Sequence, residues 1–121
     1  QLFISNYKDY QLNGMGRWAC IQKTDGEFLG WCGLKRDVDN GEVDLGFRFH
    51  KKHWGKGYAT EAAIACIDFG FTTLKLKIII GRSMKENNAS IKVLEKAGMK
   101  FIRDMVFEKH PGVLYAISNS N

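Results

Sequence analysis

Between Lys51 and Ala62 the chain reads KKHWGKGYATEA, two glycines around a lysine, with basic side chains in front and alanines behind. Glycine at 55 and 57 permits positive φ and lets a bulky group approach the backbone. A turn of this kind that feeds a helix aims several unpaired N–H groups at one point, where the helix dipole adds positive charge. Such a corner suits a phosphate or pyrophosphate, with Lys51, Lys52 and Lys56 able to neutralise it; the alternative is a tight strand-to-helix turn without a ligand. The spacing is neither GxGxxG, because position 60 is threonine, nor GxxxxGK[ST], which weakens the dinucleotide and P-loop readings. Just upstream, Glu42 and Asp44 put two carboxylates on one face of a strand, able to take a proton from a nucleophile. They could equally sit on a solvated face or pair with Arg48.

These groups need a strand before the corner and a helix after it. Val43, Leu45, Phe47 and Phe49 alternate with Glu42, Asp44, Gly46 and Arg48, which predicts a strand with one apolar face. Ala59, Ala62, Ala63, Cys66, Ile67 and Gly70 then fall on a helical stripe of small residues, suited to lying close on a sheet. Around this pair, Arg17–Gln22 and Glu27–Lys35 predict a hairpin turning at KTDG, and Asp37–Glu42 a second turn. Lys77–Ser83 reads as a strand buried on both faces. A second helix follows, with Asn87 as N-cap, Ile91 and Leu94 inward and Gly98 at its left-handed end. Met99–Lys109 and Gly112–Ser118 predict two closing strands turned at His110, Pro111 and Gly112. The order is β-β-β-α-β-α-β-β, a single α+β domain over 1–121 without repeats.

Composition narrows the class. The chain has 121 residues, 45% of them apolar, enough for one core, and no segment approaches a membrane span. Its net charge of +5 suits a phosphate-rich small ligand or nucleic acid. Cys20, Cys32 and Cys66 lack metal spacing and are odd in number, so they read as reduced core thiols of a cytoplasmic protein, with no metal expected. The chain begins with Gln1 and carries no clear strand alternation before Arg17, so a fragment of a longer protein is expected.

Lys52-His53-Trp54-Gly55-Lys56-Gly57-Tyr58-Ala59 resembles the acetyl-CoA pyrophosphate loop of the GCN5-related N-acetyltransferases (GNAT), whose pattern is Gln/Arg-x-x-Gly-x-Gly/Ala. WGKGYATEA is similar to their RimJ/RimL-like, ribosomal-protein alanine N-acetyltransferase branch. Asn87-Asn88-Ala89-Ser90 with Val93-Leu94-Glu95-Lys96-Ala97-Gly98-Met99 resembles the family's NxxS…vLEKxGF segment, and the element order from Arg17 to Ser118 matches. The resemblance implies an α/β sandwich of the acyl-CoA N-acyltransferase (GNAT) fold: a mixed, mostly antiparallel sheet flanked by helices. The family's first strand and much of its first helical pair are expected to be missing, which would leave an open sheet edge and makes a homodimer through it an expectation. Two residues depart from the family: Lys52 replaces Gln or Arg, leaving the backbone cradle intact, and Leu94 replaces a tyrosine that protonates the leaving thiolate.

The implied activity is direct acetyl transfer from acetyl-CoA, as cosubstrate, to a primary amine in a ternary complex. The acceptor would be a protein N-terminus or a small-molecule amine. Cofactor contacts carried over by the resemblance are Phe47, Arg48, Phe49, Lys52, Trp54, Gly55, Lys56, Gly57, Tyr58, Ala59, Asn87 and Ser90. Asp44 is the favoured base, Glu42 the second candidate, and Ser90 the remaining hydroxyl that could protonate the thiolate. Asn87 could cap its helix, or cap it and also bond the pantetheine arm. His53 reads as a surface residue and Trp54 as a packing wedge. The alternative is a non-catalytic CoA-binding regulatory module. A small basic nucleic-acid-binding domain is a third reading without a recognised motif behind it.

Overall fold

The computed structural model describes residues 2–6, 16–22, 26–37 and 39–119. Among these residues seven strands form one sheet: β1 (Leu2–Asn6), β2 (Gly16–Gln22), β3 (Phe28–Arg36), β4 (Val43–Phe49), β5 (Ile78–Met84), β6 (Lys100–Phe107) and β7 (His110–Ser118). Their spatial order is β1-β2-β3-β4-β5-β7-β6. Every pairing is antiparallel except β4 with β5. Helix α1 (Tyr58–Thr72) and helix α2 (Asn88–Lys96) touch each other and lie on the same side of the sheet, α1 over β3 and β4, α2 over β5.

The small-residue stripe sets how close α1 comes. Ala62, Ala63, Cys66, Ile67 and Gly70 are the buried residues of α1. A Cβ at Gly70 would come within 2.8 Å of Ile79 Cδ1 and 3.1 Å of Leu34 Cδ1, so the helix rests on the sheet with no room for a methyl group. Leu34, Leu45 and Phe47 share the face toward α1, and Asp44, Gly46 and Arg48 share the opposite one, as the alternation requires.

Several expectations are corrected. The sheet has a strand before Arg17: β1 pairs with β2 from Leu2↔Gln22 to Asn6↔Trp18. Its sequence, LFISN, opens on three consecutive apolar residues and has no period of two to read. The open edge anticipated at β2 is therefore occupied by β1. The final hairpin turns at Glu108 and Lys109, with φ of 43° and 74°, and not at His110–Gly112. Two residues at positive φ between Phe107 and its partner His110 make a two-residue hairpin turn that needs no Pro-Gly signal. Pro111 lies inside β7, where its carbonyl accepts from Lys85 N–H at 3.0 Å. The KTDG turn falls largely on 23–25, outside the described residues.

Candidate active site

Beside the site the sheet splits. β4 pairs with β3 at all seven positions, from Val43↔Arg36 to Phe49↔Gly30, but with β5 only at Asp44↔Ile80 and Leu45↔Gly81. Beyond Leu45 the two parallel strands diverge, and β5 is held instead by β7. His50 N–H bonds back to Leu29 O on β3 at 3.0 Å. Alternation then turns the backbone groups of Phe49 and Phe47 the other way, into the wedge between β4 and β5. Phe49 O accepts from Trp54 Nε1 there at 3.0 Å.

The glycine corner closes the wide end of this wedge. After β4 the chain makes one 3₁₀ turn, Lys51–His53, then passes Gly55 at φ 81° and Gly57 at φ 83° before α1 begins. A Cβ at either glycine would meet nothing within 4 Å, so they serve the left-handed backbone and leave open space in front of it. The first helical bond is Glu61 N–H to Gly57 O at 3.0 Å. The amides of Tyr58, Ala59 and Thr60 precede it, and the N-cap, Gly57, makes no side-chain cap. These N–H groups lie at the positive end of the α1 dipole, a setting whose chemistry suits an anion.

In front of these amides lies a cleft of about 900 Å³, walled by β4, the corner and one side of α2. Of the residues expected to bind cofactor, Phe47, Arg48, Phe49, Trp54, Gly55, Gly57, Tyr58, Ala59, Asn87 and Ser90 line it. Lys52 and Lys56 do not; Lys52 Nζ instead lies 2.8 Å from Glu27 Oε2. Trp54 is no buried wedge but 53% exposed, its ring oriented by the bond to Phe49. Asn87 caps α2, its Oδ1 accepting from Ser90 N–H at 3.1 Å, and this sets both side chains at the cleft wall.

The lining includes residues to which sequence reasoning assigned no site role: Thr60, Lys92, Val93 and Lys96, with Lys51 known only as part of the basic cluster. Lys92 and Lys96 stand four apart on exposed positions of α2, a spacing that puts them on one face and could have flagged them. His53 is a further correction. It is buried at 6% exposure, lines the cleft, and its Nε2 lies 3.4 Å from Glu27 Oε2. Its 3₁₀ turn rolls it inward against Tyr58, with ring centroids 6.0 Å apart. The hydrogen bond from Lys52 is the largest influence on the Glu27 carboxyl; desolvation opposes it, and the nearby Lys52 and His53 add to it, so the carboxyl is held below its ordinary range.

The three catalytic candidates are not brought together. Ser90 is in the cleft. Asp44 is half-buried on the sheet face away from the helices, at the last rungs joining β4 to β5, with Arg82 Nε 3.3 Å from its Oδ2. Burial is the largest influence on its carboxyl; Arg82 opposes it, Glu42 adds to it and Lys35 opposes it, for a value pushed up to about 6. Glu42 lies just outside β4, exposed at the end of the Asp37–Glu42 turn, its Oε1 accepting from Asn40 Nδ2 at 3.1 Å. It does not line the cleft. Leu94 is fully buried against Gly81 and Met99, so the position matching the family's tyrosine points into the core.

Cys20, Cys32 and Cys66 are buried thiols outside any disulfide, and Cys32 touches both others, Cys20 at 3.6 Å and Cys66 at 3.3 Å. Hydrogen bonding to Cys32, then burial, pushes the Cys20 thiol far above its ordinary range. Among the described residues no group of three or more His, Cys, Asp or Glu is arranged to hold a metal ion, and no helix is long and apolar enough to cross a membrane.

The family model for the acetyltransferase (GNAT) domain matches residues 1–100. The chain is 36% identical over 118 residues to the Bacillus subtilis protein YkkB, covering 96% of this chain and 67% of that protein. It is 37% identical over 116 residues to the N-acetyltransferase p20 of Bacillus licheniformis, covering 92% and 64%. The crystal structure of a GNAT-family acetyltransferase from Bacillus anthracis superposes with a TM-score of 0.76 at 28% identity, covering 84% of this chain and 65% of that one. The chain thus spans about two thirds of the length of the proteins it matches.

Proposed function

Because this chain belongs to the GNAT acetyltransferase family, we propose that it transfers an acetyl group from acetyl-CoA directly to a primary amine within a ternary complex. The observation that carries this reading is the continuity of anion seat, cleft and strand wedge. The first-turn amides of α1 receive the pyrophosphate, in space that a side chain at residue 55 or 57 would occupy. The outward backbone groups of Phe47 and Phe49 hold the pantetheine arm as an added strand would be held, and an N–H of this stretch polarises the thioester carbonyl. Acetyl-CoA supplies the activated acyl carbon.

The acceptor must be neutral to attack. An α-amine with a pKa of about 7.7 to 8 is roughly a tenth neutral at pH 7, a lysine-like amine only about one part in a few thousand. Asp44, with its raised carboxyl, takes the amine proton, directly or through water, and is half ionised near pH 6. Glu42, outside the cleft, acts on Asp44 through its charge. Ser90 relays a proton from solvent water to the thiolate, since Leu94 has no proton to give. The acceptor reading follows the RimJ/RimL-like WGKGYATEA stretch and is a protein N-terminus, with a small-molecule amine as the alternative. Buried Leu94 and the distance of Asp44 from the cleft lining favour one second reading, a CoA-binding regulatory module. Thiol release from acetyl-CoA, measured with N-terminal peptides and with small amines, tests the choice. Turnover with any of them supports the enzyme, and binding without turnover in any supports the module.

A further inference from the structure

Asp44 and Arg82 meet on the sheet face opposite α1 and α2, their side chains 32% and 29% exposed. Asp44↔Ile80 and Leu45↔Gly81 are the two rungs that join β4 to β5, so Arg82 is the first residue of β5 beyond them, at the throat of the wedge. Arg82 Nε is buried and makes no hydrogen bond, so the 3.3 Å contact is a charge pairing and not a two-point fork. The charged groups facing Asp44 can be named from each neighbouring strand. β3 offers Lys35, its register partner; the start of β4 offers Glu42; β5 offers Arg82. Beyond β5, β7 sets apolar Leu114 and Ala116 opposite Arg82 and Ile80. Burial and Glu42 favour the protonated carboxyl, Lys35 and Arg82 the ionised one, and Arg82 is the stronger of the two cations.

We infer that Arg82 is a positioning residue for the reaction: its guanidinium keeps the Asp44 carboxylate charged and turned toward the open end of the β4–β5 wedge. The inference rests on Asp44 being the base, and two readouts separate the two claims. The Asp44 carboxyl is followed by carbon NMR through a pH titration, assigned with Asp44→Asn. The pH profile of kcat/KM is measured in parallel, for the natural chain and for Arg82→Gln and Arg82→Lys. Removing the cation raises the Asp44 midpoint by about one unit. The ionised fraction at pH 6 then falls from about a half to about a tenth, so kcat/KM of Arg82→Gln relative to the natural chain drops roughly fivefold at pH 6 and by only about a tenth at pH 8. Arg82→Lys restores both readouts. An unmoved Asp44 titration, or a loss equal at both pH values, overturns the inference. A moved titration with an unmoved rate profile overturns Asp44 as the base, and the positioning role with it. Arg82→Met, which keeps the aliphatic stem, serves the same comparison should Arg82→Gln fail to fold.

Discussion

Replacing Gly57 separates the backbone reason for that glycine from the ligand reason. At φ 83° and ψ 0° the residue is left-handed, which for an L side chain costs roughly 1–2 kcal/mol. A Cβ there meets no atom within 4 Å, so conformational strain is the whole stability penalty of Gly57→Ala. For a domain of this size that lowers Tm by about 4–8 °C. Gly57→Asn, whose short polar side chain tolerates the left-handed region, loses less than half as much. Binding follows a different order. The open space in front of residue 57 is where a pyrophosphate must approach, so affinity for acetyl-CoA falls with side-chain size, with Gly57→Leu weaker than Gly57→Ala by tenfold or more, about 1.4 kcal/mol. Thermal unfolding and calorimetric titration on the same samples read the two orders. Asparagine as destabilising as alanine would refute the strain reasoning, and leucine binding as tightly as glycine would refute the seat.

Four further outcomes follow from the same geometry. Asp44→Asn abolishes the inflection near pH 6 in the kcat/KM profile. The same substitution tests stability: the folded carboxyl is raised from 3.8 to about 6, so its ionisation opposes folding increasingly from about pH 4 to 6 and fully above. The variant therefore gains on the order of 1 kcal/mol over the natural chain at pH 7 relative to pH 4, after screening, as read by denaturant unfolding. Leu94→Tyr, which restores the family's residue by name, destabilises by about 1–3 kcal/mol without raising thiol release, because the ring must enter the space held by Gly81 and Met99. Asn87→Ala removes the cap on Ser90 N–H and costs about 1 kcal/mol in thermal unfolding; a fall in acetyl-CoA affinity beyond that would assign Asn87 its second role.

What was legible in the sequence was local. The period of two in Val43–Phe49, the small-residue stripe of α1, the cap at Asn87 and the left-handed Gly98 all depend on neighbours a few residues away, and the structure has each of them. Strand β1 was missed because LFISN gains its identity only by pairing with β2. The last turn was misread because a Pro-Gly signal at 111–112 was louder than Glu108-Lys109, two residues that adopt positive φ under the demand of hairpin twist. Lys52 belonged to the expected loop but is taken by Glu27, a partner brought in from the start of β3. Burial of His53 comes from the Lys51–His53 turn, which rolls it against Tyr58, and a histidine in a basic run looks solvated until that turn is known. The shared neighbourhood of Asp44 and Arg82 required knowing that β4 and β5 are parallel and joined by two rungs.

The most direct test is calorimetric titration of the chain with acetyl-CoA, with ATP, NADH and a short oligonucleotide as controls. Saturable binding of acetyl-CoA at one site, with at most weak binding of the three controls, is the predicted result. No acetyl-CoA binding by a chain that unfolds cooperatively, or equal binding of ATP and NADH, would contradict the assignment of the corner and its cleft to coenzyme A.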